Sequence, residues 1–142
     1  MLTDLSKFPR QVLELARVLL VDDNVTSRLT LQTVLQASGY SVDAACSADE
    51  AFSKMDERQY ELILSDLQKE SPESGLEVLA HARLMPYKPA TAILTTYQAK
   101  HSGDPLRPTL IEPQEVPELL SQVADLISQR AARLVAGQLK EA

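Results

Sequence analysis

Three aspartates stand where a chain would place groups for chemistry. Asp22 and Asp23 follow directly on the apolar run Val18 to Val21, and Asp66 follows the run YELILS that starts at Tyr60. Like charges this close repel unless a cation lies among them. An all-oxygen donor set suits Mg²⁺, which takes few carboxylates and keeps several waters. Thr95, at the end of TAILT, would add a hydroxyl. A single aspartate here is most simply a helix cap or a strand end. Three of them, with a threonine at a matching strand end, indicate a site.

That reading needs elements that bring the four residues to one edge. Val18 to Val21 reads as a strand buried on both faces, as in a parallel sheet. Asn24 can cap a helix whose apolar side is Val25, Leu29, Leu31, Val34 and Leu35, and Gly39 can stop it. Val42, Ala44 and Cys46 alternate as in a second strand, which places Cys46 in the core. Ser47 and Glu50 form a capping box before a helix with Ala51, Phe52 and Met55. Tyr60 to Ser65 is a third strand ending at Asp66, followed by a polar loop and a helix from Gly75 to Met85. Thr91 to Thr95 is a fourth strand, and Thr109 to Ile111 a short fifth. Pro117 suits the first turn of a last helix running towards Lys140. Strands and helices that alternate with short links make a parallel sheet covered on both faces. In such sheets ligands sit outside the carboxyl ends of the strands.

The composition agrees with this class. The chain has 142 residues, enough for one domain with a sizeable core. A formal net charge of -6 argues against direct binding of nucleic acid. No apolar run approaches the roughly 20 residues that span a bilayer. Cys46 is the only cysteine, so no internal disulfide forms and a cytoplasmic location is expected.

RVLLVDDN, YELILSDLQ, TAILTT and IEP stand in the order and approximate spacing of the bacterial response-regulator receiver domain of two-component signalling, which this sequence resembles over residues 17–130. The resemblance implies an α/β, flavodoxin-like, doubly wound five-stranded parallel sheet of order 2-1-3-4-5. It implies that Asp66 is the phosphoacceptor and Thr95 the switch hydroxyl. Asp22, Asp23 and Asp66 would hold a weakly bound Mg²⁺ with the backbone carbonyl of Gln68. The partners implied are a histidine kinase or another signalling protein, and an output domain, fused or separate. It implies a signalling module, not an enzyme. A metal-dependent phosphohydrolase would carry D-x-D after its first strand, and Asn24 occupies the position of its second acid.

Four departures stand out. The family's Lys-Pro pair after the fifth strand aligns with Glu112-Pro113, so an anion replaces the cation; Arg107-Pro108 is a rival that leaves no room for the fifth strand. The family holds this bond cis. The switch aromatic is replaced by Thr109. The segment from Tyr97 to Pro108 is short and holds Gly103, Pro105 and Pro108, so the fourth helix is expected to be reduced or absent. After Asp66, Lys69 and Glu70 replace the usual Met-Pro. These changes point to a receiver with impaired phospho-switching, or to a pseudo-receiver that binds proteins without phosphorylation.

Both histidines read as solitary, with His81 on a helix surface and His101 in a polar loop. Residues 1–16 read as an N-terminal extension in which Pro9 to Ala16 form a short helix, residues 17–130 as the receiver-like domain, and residues 131–142 as an extension of the last helix or a linker. Leu119, Val123, Ile127, Ala131, Leu134 and Val135 recur at helical spacing, so a homodimer through that helix is a further expectation.

Overall fold

A computed structural model describes residues 16–67, 72–94, 110–111 and 115–141. β1 (Arg17–Asp22) lies at the centre, between β2 (Ser41–Ala45) and β3 (Leu62–Asp66), and β4 (Ala90–Leu94) follows beyond β3. All pairings are parallel, and the order is β2-β1-β3-β4-β5. Strands of five or six residues carry the sheet in the order β2-β1-β3-β4; β5 (Leu110–Ile111) adds only a two-residue pair against Ile93 and Leu94. The sequence led us to expect a lost or reduced fourth helix. Four helices are present among the described residues, and the fourth follows β5. The stretch between β4 and β5, to which that expectation applied, lies outside the described residues.

The apolar run of β1 explains the layering. Val18 and Leu20 point into one core with Leu35 of α1 (Val25–Ala37) and with Leu119 and Val123 of α4 (Val116–Glu141). Leu19 and Val21 point into the other, with Ala48, Ala51 and Met55 of α2 (Ala48–Glu57) and Val78 and Ala82 of α3 (Pro72–Arg83). Side chains alternate across a strand, so a segment buried on both faces must be apolar throughout.

The helix ends follow their sequence signals. Asn24 caps α1 by accepting from the Ser27 amide at 2.9 Å. Gly39, at φ 104°, takes the left-handed conformation that ends the helix, and the Tyr40 amide reaches back to the Leu35 carbonyl. Ser47 Oγ accepts from the Glu50 amide at 3.1 Å. Glu50 reaches back not to Ser47 but to the amide of Cys46, at 2.7 Å.

Several readings of single residues need correction. Val25 and Leu29 are exposed, because the strip of α1 that meets the sheet is Leu31 and Leu35, about 120° further around the helix. Cys46 is exposed, not in the core: β2 ends at Ala45, and Cys46 falls in the link to α2. Its thiol is pushed up by the hydrogen bond and charge of Glu50, while Glu50 is held below the usual carboxylate range chiefly by the Cys46 amide. His81 is not solitary. Its Nε2 lies 2.9 Å from Asp56 Oδ1, and its ring packs on Phe52 with centroids 4.8 Å apart, joining α3 to α2. α3 starts at Pro72, three residues before the expected Gly75.

α4 has 26 residues, about 39 Å of helix. Leu119 and Val123 are buried, and Arg130 ties the helix down by donating to the carbonyls of Lys88, at 2.8 Å, and Tyr87, at 2.6 Å. Beyond Arg130 the side chains described are exposed or nearly so. No described helix is long and apolar enough to cross a membrane.

The α2 cap gives a first test. Ser47→Ala removes the acceptor for the Glu50 amide and is expected to cost about 1 kcal/mol in urea unfolding, with an unchanged denaturant slope. The Glu50 interaction stabilises the fold above the unfolded carboxylate pKa and is lost as pH falls through the lowered native value. The stability difference between wild type and Glu50→Gln should therefore shrink in acid.

Candidate functional site

The site is built from the carboxyl ends of β1 and β3. Asp22 and Asp66 are register partners on these adjacent parallel strands. Partners in register point to the same face, and neighbouring strands lie about 4.8 Å apart. Both are buried, at 0% and 4% exposure, so two acidic side chains sit together out of water at the sheet edge. Two unit charges about 5 Å apart repel by on the order of 3 kcal/mol at an effective dielectric near 20. Asp23, one residue on, is half-buried.

Donors from the first turn of α1 meet Asp22. The Asn24 amide donates to Oδ1 at 2.9 Å and the Ser27 hydroxyl donates to Oδ2 at 2.6 Å. The Arg28 guanidinium donates to the backbone carbonyl of Asp22 at 2.9 Å. The same turn presents the positive end of the helix dipole to the acidic edge. The cap at Asn24 is what makes this possible, because it fixes where α1 begins and so where Ser27 and Arg28 fall. Reasoning from sequence missed both residues. The signal available was spacing: a cap at Asn24 places Ser27 in the first turn, above Asp22.

Ser65, next to Asp66, is fully buried and points to the opposite face, under α3. Its Oγ has no hydrogen-bond partner, and a Cβ on Gly75 would stand 3.8 Å from it.

The structure thus brings Asp22 and Asp66 together, with Asp23 adjacent in the chain. Among the described residues no group of three or more His, Cys, Asp or Glu side chains is placed to hold a metal ion. The oxygens of Asp22 turn instead into the first turn of α1. Thr95, Gln68 and Glu112 lie outside the described residues, as do Lys69, Arg107, Thr109 and the Glu112-Pro113 bond.

Comparison with known proteins is consistent with this geometry. Residues 18–104 match the model of the response regulator receiver domain. The chain is 38% identical over 76 residues to the gliding motility regulatory protein of Myxococcus xanthus, and 37% identical over 78 residues to the transcriptional regulatory protein ResD of Bacillus subtilis. These alignments cover 54% and 55% of this chain but only 9% and 31% of those proteins, so the chain spans a minor part of the curated relatives it matches. Among solved structures, the response regulator TrrA of Thermotoga maritima, in complex with Mg²⁺-BeF, superposes with a TM-score of 0.66 at 29% identity, over 79% of this chain and 99% of that one.

The buried pair makes two opposite stability effects testable. Ser27→Ala orphans an oxygen of Asp22 and is expected to destabilise by about 1–3 kcal/mol. Asp66→Asn removes one of two facing charges and is expected to raise the melting temperature. Thermal unfolding of both variants at neutral pH checks the pair; a fall in stability with Asp66→Asn would show that the two carboxylates do not repel.

Proposed function

Because the chain belongs to the response regulator receiver domain family, we propose that it is an atypical receiver of a two-component phosphorelay, with Asp66 as the phosphoacceptor and with impaired phospho-switching. The observation that carries this reading is the register pairing of buried Asp22 and Asp66 at the carboxyl edge of a parallel sheet. An acidic pair enclosed this way is a poor structural choice and a good place to receive a phosphoryl group with a cation.

In this reading the Asp66 carboxylate attacks the phosphorus of a phosphohistidine on a partner kinase, or of a small acyl phosphate. A P–O bond forms to Asp66 while the bond to the donor nitrogen or oxygen breaks. Asp22, Asp23 and Asp66, with the backbone carbonyl of Gln68, are an all-oxygen set suited to Mg²⁺, which would neutralise charge as two anions approach. Ser27 and Asn24 hold the Asp22 carboxylate in place. Thr95 would contact the transferred group. Glu112, in the position of the family's lysine, adds an anion where a cation would steady the phosphoryl group. At about 4 Å and an effective dielectric near 20 that exchange reverses a term of roughly 4 kcal/mol, softened by Mg²⁺ and water. Phosphorylation is then slow and changes the fold and assembly little. Domain limits of 17–130 for the receiver fold, the kinase, the output domain, a homodimer through α4 and a cytoplasmic location belong to the same proposal.

A second reading, a pseudo-receiver that binds another protein without phosphorylation, is favoured by one observation. Both Asp22 oxygens are already engaged by Asn24 and Ser27, and no group of three described acids is set to hold a metal.

Two measurements separate the readings. Millimolar-scale Mg²⁺ should raise the melting temperature of the wild type by linkage, and Asp23→Ala should abolish the rise. Indifference of the wild type to the metal would favour the pseudo-receiver. Intact-mass spectrometry after incubation with acetyl phosphate and Mg²⁺ should show slow, partial phosphorylation of the wild type, none of Asp66→Asn, and more than tenfold faster phosphorylation of Glu112→Lys. Rapid, near-complete phosphorylation of the wild type with a change in oligomeric state would overturn the impaired-switch reading.

A further inference from the structure

The end of the sheet opposite the acidic edge carries a second surface. There the last turn of α2, the turn after α3 and the first residue of β1 border an open groove of about 650 Å³. Its apolar lining comes from Met55, Met85, Pro86 and Tyr87, with Arg17 and Arg58 among its polar groups. Leu84, next to Met85, is 77% exposed, more than any other large apolar side chain among the described residues. The wall is held in shape from both sides. The Tyr87 hydroxyl donates to the Met55 carbonyl at 3.0 Å, and Arg130 binds the carbonyls of Tyr87 and Lys88. Lys88 itself sits at φ 47°, a conformation a non-glycine residue adopts at a cost.

The chain enters the fold at this same end. Residues 1–15 lead through Ala16 into Arg17, which is itself a groove residue. Leu5, Phe8, Val12 and Leu15 follow one another at spacings of three, four and three, the pattern of one apolar helix face. Residues 9–16 would cover about 12 Å as a helix, so Phe8 stays within reach of a groove that begins at Arg17. Charge is balanced on both sides. The segment carries Asp4 and Glu14 against Lys7 and Arg10, and the groove carries Asp56 and Glu57 against Arg17 and Arg58.

We propose that this groove is the docking site of the chain's own N-terminal residues 1–15, with Phe8 as the principal apolar anchor and Leu5 and Val12 beside it. The segment covers Leu84, Met85 and Tyr87 and clasps the start of β1 to the ends of α2 and α3. This surface is remote from the acidic edge, and the proposal stands independently of any phosphorylation there.

Hydrogen exchange followed by mass spectrometry on the full chain tests it. The reporters are the amides of Leu84, Met85 and Lys88, which donate to the carbonyls of His81, Ala82 and Met85. In Phe8→Asp these amides are expected to exchange at least about tenfold faster than in wild type, with a smaller effect in Phe8→Ala and no change in β3. Their protection in the wild type should not depend on protein concentration. Unchanged exchange in both variants would overturn the proposal. Protection that grows with concentration would also overturn it, because the groove would then be filled by the segment of a second copy. Phe8→Ala, which adds no charge, keeps the test decisive if Phe8→Asp fails to fold.

Discussion

Two buried carboxylates in register are the constraint to which the rest of this structure answers. A parallel sheet sets Asp22 beside Asp66 with no freedom to separate, because their strands are hydrogen-bonded along their length. Water cannot screen the pair, since both side chains are almost wholly enclosed. Without local compensation the arrangement would cost several kcal/mol, a large part of the net stability of an ordinary domain.

The compensation comes from one turn of helix. Asn24 fixes the start of α1, and that start brings the Ser27 hydroxyl and the Asn24 amide onto Asp22 and the Arg28 guanidinium onto its carbonyl. The sheet carries the remaining load by burying both faces of β1 against two pairs of helices. The apolar cores therefore stabilise an acidic edge that contributes nothing favourable by itself. Such a division of labour is common where a site is held by a scaffold, and it agrees with membership of the receiver family.

The two ends of the sheet differ in kind. The carboxyl end is acidic, closed and organised by hydrogen bonds. The amino end is open and amphipathic, built from thioethers, a phenol and balanced charges around the turn after α3. Arg130 links that turn to α4, so the long helix and the groove share one anchoring point. Past that point α4 loses contact with the sheet, which is too small to cover 26 residues of helix.

The strand runs, the capping residues and the acidic positions were legible in the sequence because each depends on local chemistry. A doubly buried strand has to be apolar throughout, Asn24 and Ser47 satisfy amides within three residues, and Gly39 tolerates a positive φ that other residues resist. What lay beyond the sequence was everything set by rotation and register. Val25 and Leu29 look like core residues by spacing, yet the strip that meets the sheet is Leu31 and Leu35. Cys46 continues an alternation that ends one residue earlier, where β2 stops. His81 seemed alone because Asp56 and Phe52 lie on another helix. The donors to Asp22 were hidden for the same reason: a sequence shows that Ser27 is in the first turn of a helix, but only the packing of that helix on the sheet decides which atoms its hydroxyl can reach.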